Sequence, residues 1–155
     1  MDRNHLKRLL DSCYTGKRIV ETLPDLPSRM KPGHIHVMET IYEILEQKGT
    51  CRVGEVSAGM GITTPSITRL IKELELLKMV EKYADPLDKR VALVRLTKGG
   101  QECVQIYVLE LHSRWAEAMG DITEEQVDMV CEIIERLRDT MPGKKERKGD
   151  RYDKR

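Results

Sequence analysis

The sequence predicts a mostly α-helical fold with one small β-hairpin. Most of the chain repeats apolar residues at spacings of three, four and seven, which is typical of amphipathic helices. Two short segments near the middle alternate apolar and polar residues instead, as strands do. The 155 residues are 39% apolar and 34% charged and include no Phe, so we expect one helical domain of ordinary size.

The first third of the chain predicts two helices separated by a proline-rich break. Residues 4–23 carry apolar side chains at helical spacing, namely Leu6, Leu9, Leu10, Cys13 and Val20. The segment LPDLPSRMKPG ends this pattern with three prolines, and Pro32 suits the first turn of a second helix over 32–47. The inward stripe of that helix is Ile35, Met38, Ile41, Tyr42 and Leu45.

The segment VGEVSAGMGITTPSITRLIKELELL predicts a helix-turn-helix. We expect a short helix over 53–60, a turn at 61–63 and a longer helix over 65–77, which Thr64 caps with its hydroxyl. At about 100° per residue, one arc of the longer helix is apolar. That arc comprises Ile67, Leu70, Ile71, Leu74 and Leu77, and the opposite arc comprises Pro65, Thr68, Arg69 and Lys72. The second helix therefore points hydroxyls and cations outward.

The segment DPLDKRVALVRLTKGG, residues 85–100, predicts a hairpin with a long charged loop. Residues 80–83 and 91–96 alternate as two strands, and 84–90 form a loop longer than a tight turn requires. A loop with this charge must lie in water or against another charged surface. The sequence therefore predicts a projecting wing.

The last third predicts two further helices and a charged tail. Residues 98–119 carry a long helical pattern, and Thr123 and Gln126 form a capping box that opens a final helix ending near Met141. Residues 144–155 hold seven Lys/Arg against three acids and have nothing to bury. We expect this tail to be disordered.

The charge is unevenly distributed, although the net charge is only +1. Residues 1–143 carry a net −3, yet residues 60–100 within them hold eight Lys/Arg against five acids. A basic surface on an acidic body suggests binding to a polyanion. The sequence holds neither an apolar run that would span a membrane nor a secretory signal, so we expect a cytoplasmic protein.

These motifs resemble the MarR family of winged-helix transcriptional regulators over roughly residues 5–141. The wing is similar to the family's Asp-x-x-Asp-Arg-Arg, alternating apolar residues and Leu-Thr-x-x-Gly, with Lys89 in place of the middle arginine. The resemblance implies one domain over 1–143, with a DNA-binding winged helix-turn-helix at about 50–98 and dimerisation helices at 4–23 and 99–141. MKPGHIHVM departs from the family pattern, because Lys31 lacks the usual capping hydroxyl and His34 replaces a glutamine.

The resemblance and the outward residues together predict a double-stranded DNA interface. The major groove admits one helix, whose N-terminal half reads base edges, and arginine is drawn to the narrow minor groove. The expected contacts are Thr64, Ser66, Thr68, Arg69 and Lys72 on the helix and Asp88, Lys89 and Arg90 on the wing. We expect Arg69 to read a guanine, Lys72 to meet phosphate, Arg90 to enter the minor groove and Asp88 to hold the Arg90 guanidinium. A solvated helix face and a simple surface ion pair are the alternatives.

The expected protein is a homodimeric regulator, a repressor of a pseudo-palindromic operator that a small molecule or an oxidant releases. We expect an effector pocket near Tyr14, Met30, His34, Met38 and Trp115. Within the same family, a zinc-responsive or a thiol-responsive sensor is an alternative. His34 and His36 lie two residues apart and cannot easily share one ion, and we expect Cys13 to pack among apolar side chains.

No enzyme motif, cofactor motif or metal dyad is recognisable in the sequence, so we expect neither catalysis nor a cofactor nor a bound metal. A winged helix used only for protein–protein contacts is the remaining competitor. The four cysteines are dispersed and include no C-x-x-C pair, which favours reduced thiols.

Overall fold

The computed structural model describes residues 1–22 and 24–141, and the chain divides into two compact units. The first unit is Met1–Ser113, and the second begins at Arg114. In chain order the elements are α1 (Arg3–Val20), α2 (Pro32–Lys48), α3 (Val53–Met60), α4 (Thr64–Leu76), β1 (Val80–Ala84), β2 (Ala92–Leu96), α5 (Lys98–Val104), a π-helical segment (Gln105–Leu109), α6 (Glu110–Ala118) and α7 (Glu124–Thr140). The predicted mostly helical fold with a hairpin is confirmed. The single domain over 1–143 stays a prediction, and the tail at 144–155 lies outside the described residues.

The core of the first unit lies where α2, α3, α4, α5 and the hairpin meet. From α4, Ile67, Ile71 and Leu74 have no exposed surface, whereas Leu70 and Leu77 are half-buried at the edges of the same arc. Other elements complete this core with Ile35, Val37, Met38, Ile41, Val56, Val80, Val94, Leu96, Cys103 and Val104. Each large side chain buried in this way stabilises the fold by about 1.5–3 kcal/mol. The predicted inward arc of α4 is confirmed.

Thr97 and Gly100 fasten the base of the hairpin to the start of α5. The Thr97 hydroxyl donates to the Lys78 carbonyl oxygen at 2.7 Å and accepts the Gly100 N–H at 3.1 Å. A Cβ at Gly100 would lie 2.0 Å from the Met79 carbonyl oxygen, so only glycine fits at this position. The close approach explains why the strand pattern stops at a threonine followed by glycines.

The end of α4 adopts a turn that glycine usually makes, but here the residue is Lys78 with φ of 57°. The Met79 N–H donates to the Leu74 carbonyl oxygen at 2.9 Å, and the Lys78 N–H donates to the Glu75 carbonyl oxygen at 3.0 Å. These two bonds close the last turn and send the chain directly into β1 at Val80. The antiparallel pairing then sets Val80 opposite Leu96 and Ala84 opposite Ala92.

Two helices, α1 and α7, bury none of their residues. The Asp2 carboxylate caps α1 by accepting the N–H of Asn4 at 2.8 Å, and Thr123 and Gln126 form the predicted capping box of α7. Apolar residues of α7 remain between 38% and 61% exposed: Val127, Met129, Val130, Ile133 and Ile134. Among the described residues, the apolar side chains of α1 and α7 are thus at most partly buried.

The structure departs from the predicted elements in one long segment. The helix expected over 98–119 is interrupted by five π-helical residues, Gln105–Leu109. Single π-helical turns insert an extra residue and shift the faces that follow, a change that apolar spacing did not reveal. Among the described residues, no helix combines the length and apolar character needed to cross a bilayer.

Candidate nucleic-acid interface

Hydroxyl hydrogen bonds fix the turn between α3 and α4. Ser57, only 9% exposed, donates to the Ile62 carbonyl oxygen at 2.6 Å, and Thr64 donates to the Ser57 hydroxyl at 3.2 Å. α4 begins at Thr64, with Thr63 at the N-cap position and no side-chain cap. The prediction that Thr64 caps the helix was wrong, because its hydroxyl binds α3 instead. Thr64 therefore helps set the angle between the two helices.

The outward face of α4 carries the predicted hydroxyls and cations. The side chain of Arg69 is 75% exposed, and Lys72 is exposed with no carboxylate within 4.0 Å among the described residues. Thr68 donates its hydroxyl proton to the Thr64 carbonyl oxygen at 2.9 Å, and the Ser66 hydroxyl accepts from a threonine hydroxyl at 3.0 Å. Ser66 and Thr68 keep lone pairs that can accept hydrogen bonds. The face therefore presents two cations and two acceptors.

The wing takes its shape from hydrogen bonds within residues 85–91. The Asp85 carboxylate accepts the Leu87 N–H at 2.9 Å. The Val91 N–H donates to the Asp88 carbonyl oxygen at 2.9 Å, and the Val91 carbonyl oxygen accepts the Asp85 N–H at the same distance. These bonds turn the chain without help from the core.

Asp88 holds Arg90 in a bidentate pair at the wing. The Asp88 carboxylate accepts from Arg90 Nε at 3.0 Å and Nη2 at 3.1 Å, and also accepts the Arg90 backbone N–H at 3.0 Å. These hydrogen bonds lower the pKa of Asp88, and the pair raises the pKa of Arg90. The Arg90 side chain remains 91% exposed. The pairing expected from the sequence is present, and it presents a fixed cation to the surroundings.

Arg52 is a cation near the wing that the sequence reading missed. Its backbone forms an isolated bridge with Leu93 of β2, and its charge adds a minor lowering of the pKa of Asp88 after the hydrogen bonds from Arg90. The Arg52 N–H donates to the Glu55 carboxylate at 2.9 Å, a capping pattern visible in the sequence. The pattern marks the start of α3, but only the pairing with β2 brings Arg52 to the wing. Lys89, which was predicted, is exposed with no carboxylate within 4.0 Å in the described part of the chain.

His34 supplies the cap that Lys31 lacks. Its Nδ1 accepts the Lys31 backbone N–H at 3.2 Å, and its Nε2 lies 2.7 Å from Glu73 Oε2 of α4. The ring is 1% exposed. Both nitrogens are therefore engaged, and His34 joins the start of α2 to the helix that carries Arg69.

The residues assigned to an effector pocket lie in different settings. Met38 has no exposed surface, Met30 packs half-buried against the core, and Tyr14 on α1 is 71% exposed. Trp115 belongs to the second unit. Surface clefts of about 250 and 350 Å³ in the first unit are lined by other residues. The effector pocket stays a prediction, and the structure gives His34 and Met38 roles in capping and in the core.

Two further histidines, His36 and His112, lie near the carboxylate of Glu39. His36 Nδ1 lies 3.4 Å from Glu39 Oε2, and His112 Nδ1 lies 4.0 Å from Glu39 Oε1. Glu39 thus lies near both His36 and His112. Within residues 1–22 and 24–141, no three His, Cys, Asp or Glu side chains are arranged to hold a metal ion.

Cys13, which was expected to pack among apolar side chains, is partly buried, and the expectation stays a prediction. It is half-buried on α1, a helix with no buried residue. Cys51 and Cys103 are the buried thiols, and Cys131 on α7 is exposed. Among the described residues, Cys13 is thus only partly covered.

The segment that matches a known family coincides with this interface. Residues 35–91, which run from α2 to the end of the wing, match the family model described as MarR family. Over this segment the chain is similar to the MarR family. The resemblance that the wing motif and the helix-turn-helix carried is confirmed.

Individual proteins are similar to the chain in sequence or in fold. An uncharacterized HTH-type transcriptional regulator of Bacillus subtilis, YdgJ, is 28% identical over 82 residues, which is 53% of this chain and 50% of YdgJ. A mutant MarR from E. coli complexed with operator DNA superposes with a TM-score of 0.61 at 23% identity, covering 85% of this chain and 92% of that one. Bordetella bronchiseptica BpsR, whose DNA binding is regulated by 6-hydroxynicotinic acid, superposes with a TM-score of 0.61 at 21% identity, covering 86% and 98%.

The chain spans about half the length of YdgJ. Both solved structures are under 25% identical to the chain, so they establish its fold. All three names are those of regulators rather than enzymes.

Proposed function

We propose that the chain is a sequence-specific, DNA-binding transcriptional regulator of the cytoplasm. The observation that carries the proposal is the bidentate Asp88–Arg90 pair on an exposed wing, in a lobe whose α4 points Arg69 and Lys72 outward. Arginine held in one orientation suits the narrow minor groove. Two cations and two hydroxyl acceptors on a helix suit the major groove and its flanking phosphates.

Salt dependence tests the DNA-binding proposal. Affinity for duplex DNA, measured by fluorescence anisotropy between 50 and 300 mM salt, should fall with a log–log slope of about −0.9 per phosphate neutralised. Sequences selected from a random duplex library should share one pseudo-palindrome with half-sites about one helical turn apart. A protein that binds no duplex at low salt overturns the proposal and favours a winged helix that contacts other proteins.

The apolar faces of α1 and α7 support a homodimer. Each helix is well capped and amphipathic, yet neither buries a residue within its own chain. Apolar faces left open in this way mark interfaces between subunits. A dimer would also supply the second reading helix that a pseudo-palindrome needs.

Val130 is a suitable residue for testing the dimer, because it is 60% exposed on α7. Val130→Asp should leave the helical circular dichroism spectrum intact and shift the sedimentation of the protein from dimer to monomer. Glu132→Asp, which keeps the charge of an exposed α7 residue, serves as the matched control. A parent that sediments as a monomer at micromolar concentration contradicts the homodimer.

We also propose that the regulator is a repressor and that a small molecule or an oxidant releases it from DNA. A ligand can act only through a difference in affinity between the DNA-bound and free forms. DNA affinity measured with and without small aromatic acids, and with and without peroxide, tests both signals. Cys13→Ser separates them, since it should remove a response to peroxide and leave a response to a ligand.

A further inference from the structure

Glu73 occupies an unusual position for an acidic residue on a DNA-reading helix. It follows Arg69 by one helical turn. Three basic side chains lie within 4.0 Å of its carboxylate, two from the start of α2 and one from α4. Oε2 lies 2.7 Å from His34 Nε2 and 3.5 Å from Lys31 Nζ, and Oε1 lies 4.0 Å from Arg69 Nε. One carboxylate oxygen is thus tied to α2 while the other faces the arginine.

The bond between His34 and Glu73 has a fixed direction. Because His34 Nδ1 accepts the Lys31 backbone N–H, the ring proton of the neutral histidine lies on Nε2, which donates to Glu73. His34 is 1% exposed, so water does not replace either partner easily. Breaking the bond would leave a buried donor unsatisfied, which is costly.

The charge of Glu73 is retained at neutral pH. The hydrogen bond from His34 is the largest cause that lowers the pKa of Glu73, and Lys31 lowers it further. A permanent negative charge beside Arg69 repels phosphate and so opposes binding to DNA of any sequence. The bond to His34 occupies one oxygen of Glu73, and the other oxygen lies on the side of Arg69.

We propose that Glu73, held by His34, is a positioning residue that orients the Arg69 guanidinium for reading a base. The inference rests on the proposed DNA-binding function and deepens it. A guanidinium that reads a guanine edge must present two N–H groups in one plane. An arginine that rotates freely presents them in many orientations and discriminates less well between bases. Glu73 supplies a fixed anion on one side of Arg69, and the anchor at His34 fixes Glu73.

The test compares Glu73→Gln with the parent on two duplexes, the best selected sequence and a scrambled sequence of equal length. The dissociation constant for the selected duplex should rise about tenfold. For the scrambled duplex it should stay the same or fall, because one repulsive charge is gone. A purely structural defect would weaken both complexes together.

Glu75→Gln is the matched control on the same helix. The Glu75 side chain is 33% exposed, as is that of Glu73, but it pairs with Lys82 at 2.9 Å. The control should keep the ratio of the two dissociation constants. Loss of selectivity in both variants would overturn the specific role of Glu73.

A cycle with Arg69→Ala shows whether Glu73 acts through that arginine. In the Arg69→Ala background, Glu73→Gln should cause no further loss of selectivity. His34→Gln, which keeps a donor and an acceptor, should retain selectivity better than His34→Leu. Equal selectivity of a folded His34→Leu variant and the parent would overturn the anchoring role of His34.

The outcomes separate the two proposals. A parent that binds duplex DNA selectively, with a Glu73→Gln variant of unchanged selectivity, overturns the role of Glu73 and leaves the DNA-binding function standing. A parent that binds no duplex overturns the proposed function and the role of Glu73 with it.

Discussion

The helix α4 and the wing are both proposed to meet DNA, yet they are held in different ways. α4 is rooted in the core by Ile67, Ile71 and Leu74, each without exposed surface. The wing is shaped by hydrogen bonds within residues 85–91 and exposes Leu87 to 96%. The orientation of α4 therefore depends on the packing of the core, whereas the shape of the wing depends on its own hydrogen bonds. Substitutions should therefore separate stability from binding.

The largest expected effect is the loss of a core side chain under α4. Ile71→Ala should lower the free energy of unfolding by about 2–5 kcal/mol, because it removes a fully buried side chain and leaves a cavity. Leu87→Ala at the wing should change it by less than about 0.5 kcal/mol. Urea denaturation followed by circular dichroism measures both. Comparable losses of unfolding free energy in the two variants would contradict the view that α4 depends on the core and the wing does not.

High pH should weaken the core while leaving the wing pair intact. Burial, helped by the nearby charge of Glu55, raises the pKa of Cys51 from 9.0 to about 11. In the unfolded chain the thiol ionises near its ordinary pKa, so between pH 9 and 11 the unfolded state holds fewer protons than the folded state. The contribution of Cys51 to stability should therefore be constant below pH 9 and fall as pH rises to 11, by up to about 3 kcal/mol.

The contribution of Cys51 is obtained by difference, since Cys103 also has a raised pKa and other groups ionise in this range. Urea unfolding of the parent and of Cys51→Ala should be compared at pH 8 and pH 10.5. The gap between their unfolding free energies should shrink at the higher pH. A gap that is the same at both pH values would contradict an ionisation that is suppressed in the folded state.

The two arginines should differ in the kind of binding they lose. Arg69→Ala should relax base preference at one position by about 1–3 kcal/mol, because a bidentate base contact is lost. Arg90→Ala should weaken binding to all sequences and reduce the magnitude of the salt slope by about 1. A competition assay over all single-base variants of the selected duplex distinguishes the patterns. Equal affinity of Arg90→Ala and the parent would count against the wing as a DNA contact.

The smallest expected effect is that of removing the acid that holds Arg90. Asp88→Asn should leave the urea midpoint unchanged, because a surface pair at the wing adds little to stability. It should weaken duplex binding a few-fold, less than Arg90→Ala does, since the arginine remains but is freer to rotate. Asp85→Asn is a useful companion, because its amide oxygen can still accept the Leu87 N–H. A marked drop in the midpoint for Asp88→Asn would show that the wing supports the fold after all.

Local patterns predicted the elements and the exposed side chains well. α2, α3 and α4 and the hairpin lie within one or two residues of the predicted bounds, because apolar spacing and turn residues are read within a few positions. The pairing of Asp88 with Arg90 was predictable for the same reason, since the partners are two residues apart.

Contacts between distant segments were not predictable in this way. The bond between His34 and Glu73 joins residues 39 positions apart, and the approach of Arg52 to the wing depends on pairing with Leu93. Each requires the packed arrangement of two elements, which no periodicity encodes. The sequence did mark His34 as unusual, but its buried partner could be found only in the folded chain.

The tight fit of Gly100 against Met79 has a mechanical consequence. The Met79 carbonyl at the base of the hairpin lies against the backbone of Gly100 in the first turn of α5. No space is left between these two segments. A change in the tilt of α5 would therefore also change the orientation of the hairpin. The base of the hairpin and the start of α5 should therefore move together.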